Sequence, residues 1–189
     1  MAASLVRAAR FFGVESSGVA RLSTAHALAM QPRISKLDHQ RHPAYLHPGH
    51  TALILLRDVG VVDSTLLAAA TLVETEDEEL RIGLDRVRAV VGEDVAAIVD
   101  AVPLPGRADL AERLVVAPEN VRLVALAERL DQARHAHMRD ADAAWRRALL
   151  EEVVRVYLPV AERTHAKLAT RFTHWSRAFG NRVETGGDA

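Results

Sequence analysis

Apolar residues return along most of this chain at helical spacing, and nowhere do they alternate with the period of two that a half-buried strand requires. Gly13, Gly18 and the Pro/His-rich stretch from Pro32 to Pro48 divide the N-terminal third into two short helices and a long loop. A helix is predicted from about His50 to Val59, stopping at Gly60. Asp63-Ser64 opens another that carries Leu66, Leu67, Ala70 and Val73. Thr75 followed by Glu78 reads as a capping box before the apolar positions Leu80, Ile82, Leu84 and Val87. Gly92 ends that helix, and Glu93-Asp94 start the next, with Val95, Ile98 and Val102 on one face. Pro103 and Pro105 close it, and Pro118 precedes a helix bearing Val121, Val124, Leu126 and Leu130. The last helix is predicted from about Asp142 to Ala178, bent where Pro159 removes a backbone donor. The expectation is an all-α bundle, with one helical domain over residues 1–180 and a disordered tail over residues 181–189.

A length of 189 residues suffices for a sizeable core, and an aromatic content of 4% makes that core aliphatic. The chain has no cysteine, which excludes disulfides, thiolate metal sites and Cys nucleophiles. A net charge of -1 argues against a general nucleic-acid or membrane-surface binder. No apolar run reaches the roughly 18 residues that span a bilayer. The first fourteen residues are basic and acid-free, a composition shared by organellar transit peptides and by ordinary first helices. The default expectation is a cytoplasmic protein.

Four blocks carry more specific information. They are Pro43-Ala44-Tyr45-Leu46-His47-Pro48, the run from Val91 to Val102, the run from Asn120 to Arg134, and Tyr157-Leu158-Pro159-Val160-Ala161-Glu162-Arg163. In this order and near this spacing they resemble the hydrolase half of the RelA/SpoT family, HD-domain enzymes that remove pyrophosphate from guanosine alarmones. The resemblance covers Pro43 to Arg163 and implies an HD-domain-like helical bundle without a synthetase half.

Carried over residue by residue, the resemblance implies a depleted metal site. His47 matches the first metal ligand. The family's adjacent His-Asp pair falls on Val73-Glu74 or on Glu74-Thr75, and neither register retains a His. The last ligand, an Asp, falls on Glu128, and the His-Asn pair after it falls on Asp131-Gln132. The acidic pair that assists water attack falls on Asp77-Glu78 or Glu78-Glu79. The basic, Gly-containing loop that touches the nucleotide has no counterpart at the right spacing. Gln40-Arg41 is too near His47, and His26 with Gln31 is too far.

The residues support two chemistries at such a site. Glu74 follows Leu66, Ala70 and Val73 on an apolar stripe, and Glu128 follows Val121, Val124 and Ala125 on another. A carboxylate on such a stripe is either paired or protonated with a raised pKa. If Glu74 and Glu128 meet His47 in one cavity, they are material for general acid-base catalysis, with Asp77, Glu78 and Asp131 nearby in sequence. Alternatively, Glu74 or Glu128 belongs to a buried structural pair with an Arg. Arg129 and Arg134, with Gln132 between them, suit a phosphate or sulfate group.

The leading expectation is therefore a repurposed HD-fold enzyme acting on a small phosphate- or sulfate-bearing metabolite. It would work by displacement, elimination or cyclisation, with no metal expected. One alternative is a metal-dependent phosphohydrolase of the alarmone-hydrolase type, with Mn or another divalent cation on His47, Glu74 and Glu128. Another is a catalytically inactive subunit that binds a ligand or a partner chain in a homo- or hetero-oligomer. His39, His42 and His50, and then His135 with His137, also carry metal-like spacings.

Overall fold

A computed structural model describes residues 1–37, 43–138 and 141–185. It is all-α, and no strand occurs among the described residues. The helices are α1 (Ala2–Phe11), α2 (Ser16–Lys36), α3 (His47–Ile54), α4 (Ser64–Leu72), α5 (Leu84–Val91), α6 (Glu93–Ala101), α7 (Leu110–Val116), α8 (Glu119–His135), α9 (Ala143–Glu152), α10 (Leu158–Thr164) and α11 (Ala166–Thr185). No helix among the described residues is long and apolar enough to cross a membrane.

The bundle is built around α4. The Asp63 side chain caps it by accepting from the Thr65 amide at 2.7 Å. Leu67, Ala68, Ala69 and Ala70 are all buried, so this helix is enclosed on every side. It packs against α2, α3, α6 and α8. Gly18 lets α2 approach the start of α4 closely, because a Cβ there would stand 2.9 Å from Ser64 Cβ. The other central element is α8, whose buried run from Val124 to Asp131 includes Glu128, Arg129 and Asp131. Charged groups so enclosed must find partners, and those partners define the site.

Several boundaries differ from expectation, each for a local physical reason. Helix α2 passes through both Gly18 and Pro32, since buried Leu22, Ala25, Leu28, Ala29 and Arg33 hold it to the core on either side. Helix α4 ends at Leu72, so Val73 and Glu74 are not on its stripe but in the loop beyond. Thr75 and Glu78 form no capping box. The Thr75 hydroxyl bonds instead to Glu128, and Asp77 caps a short 3-10 turn, Glu78–Leu80, by accepting from the Glu79 amide.

Helix α7 was not anticipated. The expected last helix is widened by a π turn at Val153–Tyr157 just before Pro159, where the backbone stays helical, and is broken by extended backbone at His165. A second π turn, Leu55–Val59, follows α3 directly. Helix α11 continues past residue 181 to Thr185, and Leu168, Phe172 and Phe179 anchor it in the core. Leu5, Ala8 and Ala9 likewise bury α1, so the basic N-terminal stretch is part of the bundle. His39, Gln40, Arg41, His42 and the last four positions lie outside the described residues.

Candidate functional site

Helix α3 begins at His47, and this brings its imidazole against α8, where Asp131 faces it. His47 Nδ1 lies 2.7 Å from Asp131 Oδ2, with both side chains almost wholly enclosed. Burial alone would lower the His47 pKa. The bond to Asp131 and the charges of Glu74, Asp131 and Glu128 outweigh it and raise the value. Burial would raise Asp131, but the bond from His47 and the surrounding imidazoles hold its carboxyl well below the usual range. The carboxylate thus fixes the imidazole in the tautomer that carries hydrogen on Nδ1. His47 Nε2 is buried and has no hydrogen-bond partner among the described residues.

Glu74 meets Arg33 of α2 at 2.6 Å, with both groups buried. Its other oxygen accepts from the Glu76 and Asp77 amides at 3.2 Å each and from Gln132 Nε2 at 3.4 Å. Arg33 completes its bonding with the Ala44 carbonyl at 2.7 Å and the Ala29 carbonyl at 2.8 Å. The result is a saturated buried ion pair, one of the two outcomes left open for Glu74. Arg33 was absent from the sequence reading. Its signal was available, since it falls on the inward stripe of α2 one turn after Ala29.

Glu128 found no arginine. It accepts from the Thr75 hydroxyl at 2.6 Å and from the Thr75 amide at 3.3 Å. Burial pushes its pKa up to about 7, only partly opposed by His47 and the Thr75 bond. His47, Glu74 and Glu128 are therefore neighbours electrostatically, as the charge of each carboxylate registers on the imidazole.

Asp131 lies where two hollows meet. A cavity of about 70 Å³ is lined by Ala44, His47, Glu74, Asp77, Asp131 and His135 among others, with Gln132 also on its wall. A wider cleft of about 540 Å³ is lined by His50, Arg57, Asp131, Arg134, His135 and Arg171 among others. Asp131 and His135 line both. Arg57 and Arg134 are exposed on the cleft, whereas Arg171 is paired with Asp58 at 2.8 Å. The π turn after α3 carries Arg57 and Asp58 to this cleft.

Six of the sequence-predicted residues thus come together around the two hollows: His47, Glu74, Asp77, Asp131, Gln132 and Arg134. Three do not. Glu128 lies behind Thr75 and lines neither hollow. Glu78 is exposed on its 3-10 turn and lines neither hollow. Arg129 lines a separate cleft, where Glu76 and Glu152 bind its guanidinium and the Tyr157 ring lies 5.4 Å from it. With two carboxylates on it, Arg129 carries no free charge for a substrate anion. His50, Arg57 and His135 join the site without having been assigned to it.

The ion implied by the resemblance does not fit the residues that would bind it. Both oxygens of Glu74 are occupied, one of them by a guanidinium cation, and Glu128, its pKa pushed up to about 7 by burial, is bonded to the Thr75 hydroxyl and amide. Arg33 thus provides the buried positive charge beside Glu74 and His47. Among the described residues, the group that meets ligand spacing is a different one, His50 with Asp131 and His135. The fold and site define an all-α bundle with a buried His–Asp pair beside an arginine-lined cleft. No protein-family model matches the chain, and no curated protein matches it significantly.

Proposed function

We propose that this chain is an HD-like helical enzyme acting on a small phosphate- or sulfate-bearing metabolite by acid-base chemistry, with no ion at His47, Glu74 and Glu128. The observation that carries the reading is the position of Asp131. One carboxylate orients His47 in the inner cavity and also borders a cleft with two exposed arginines. Arg57 and Arg134 hold the anionic group. His47, which lines the inner cavity, is the group that accepts a proton from substrate, on Nε2, the nitrogen that Asp131 leaves over. The freed electron pair forms a new C=C or ring C–O bond, and the ester C–O bond breaks toward the phosphate or sulfate. This is elimination or cyclisation with the anion as leaving group, and it needs no metal-bound hydroxide. The order of the four sequence blocks and the His47 position support an HD-like ancestry.

The test is release of inorganic phosphate or sulfate from a panel of phosphorylated and sulfated metabolites, by the full chain and by His47→Gln and Arg134→Gln. Expected is turnover that falls about 100-fold in His47→Gln. In Arg134→Gln the loss should appear mainly in KM. Turnover indifferent to both substitutions, or none from a folded protein on any panel member, sinks the reading.

A further inference from the structure

We propose that His50, Asp131 and His135 bind a divalent transition-metal cation, zinc by preference, at the edge of the arginine-lined cleft. None of the three is among the positions that the family resemblance assigns to its ion. The site stands on its own geometry and rests on the proposed reaction only for the anion that shares the cleft.

The ligand atoms of the three residues lie within 4.8 Å of one another. Asp131 is almost fully buried, and its Oδ1 has no hydrogen-bond partner among the described residues although its Oδ2 is bonded to His47. A buried anionic oxygen that has imidazole nitrogens at 3.4 and 3.5 Å but no hydrogen bond of good geometry is poorly satisfied, and a cation is the strongest way to satisfy it. His50 Nδ1 lies 3.4 Å from this oxygen, too long for a strong hydrogen bond. It matches the edge of a tetrahedral zinc site, where ligands about 2.1 Å from the metal stand about 3.4 Å apart.

His135 is prepared in a different way. Its Nδ1 lies 2.8 Å from the carbonyl of Asp131 one helical turn earlier. That bond places the hydrogen on Nδ1, which also stands 3.5 Å from Asp131 Oδ1, so Nε2 is the nitrogen that keeps the lone pair a metal requires. The His50 and His135 rings are stacked, 8° apart in plane with centroids 5.5 Å apart, which keeps the two imidazoles together beside Asp131. Asp131 would then serve two groups, with Oδ1 on the cation and Oδ2 holding the His47 tautomer.

Two imidazoles and a carboxylate leave at least one coordination position open, the arrangement of sites that bind an exchangeable ligand. Arg57 and Arg134, both exposed on the same cleft, repel a bare cation. A phosphate bridging the cation and these arginines relieves that repulsion. The two ligands should therefore bind with positive coupling, and each should tighten the other by the same factor.

The experiment titrates the full chain with Zn²⁺ by calorimetry and with Co²⁺ by visible absorption, with and without inorganic phosphate. Expected is one equivalent bound, with affinity falling about tenfold or more in each of His50→Gln and His135→Gln. Circular dichroism checks the fold of each variant. Asp131→Asn is the third arm, read only if it folds. His137→Gln, on the same cleft but outside the three, should bind as the parent does. Absence of stoichiometric binding by both cations overturns the site, as does binding that survives either histidine substitution in a folded variant. Cation binding indifferent to phosphate leaves the metal site standing and counts against the anion-binding cleft. Turnover without cation binding does the reverse.

Discussion

At the scale of single residues, the buried groups Arg33, Glu74, Glu128 and Asp131 reach different resolutions of the same problem. Arg33 and Glu74 neutralise each other, and Asp131 is charged against imidazole. Glu128 has only a hydroxyl and an amide, so burial favours its protonated form. The folded state then holds a proton that the unfolded chain releases. Stability should be unaffected by this group below about pH 4.5 and should fall as pH rises toward about 7, by up to roughly 3 kcal/mol. Glu128→Gln keeps the shape and removes the titration. Urea denaturation at pH 5 and pH 8 should show that the variant gains on the parent at the higher pH, and an equal difference at both would refute it. Arg33→Met should cost about 3–5 kcal/mol by stranding Glu74, and adding Glu74→Leu should recover most of the loss. A double variant as weak as the single one would show that the pair is not an isolated unit.

At the scale of elements, the chain announces helices well and their ends unevenly. Gly60, Gly92 and the Asp63 cap were legible because a left-handed or cap position needs a particular residue type. The end of α4 was not, because Val73 and Glu74 continue the apolar-then-carboxylate pattern that a helix would show. Glu74 is drawn out of helical register by its bonds to Arg33 and to the next two amides, partners 41 residues away and local at once. Thr75 fits a capping box in the letters, yet Glu128 claims its hydroxyl from α8. The packing of α2 on α4 gives a direct test. Gly18→Val should destabilise the fold by about 1–3 kcal/mol, because its Cβ would meet Ser64. Thermal denaturation of that variant with and without Ser64→Gly measures the clash, and relief by the second substitution is the expected result.

For the whole molecule, α4 and α8 are enclosed while α5 and α7 lie with much of their surface in solvent. Hydrogen exchange should find the slowest amides in α4 and the middle of α8, and faster ones in α5 and α7. Uniform protection across all four would contradict the packing order. This enclosure also explains what was readable in advance. Helical periodicity, an aliphatic core and the break residues follow from local chain chemistry, so the all-α class and the inward placement of Glu128 could be reached from the letters. Which partner each buried charge takes is a matter of distance through space. Arg33 on Glu74, Thr75 on Glu128, and two extra histidines gathered on Asp131 depend on how α2, α3, α4 and α8 lie across one another. Periodicity states that a charge faces inward, and electrostatic neutralisation is settled only where the helices meet.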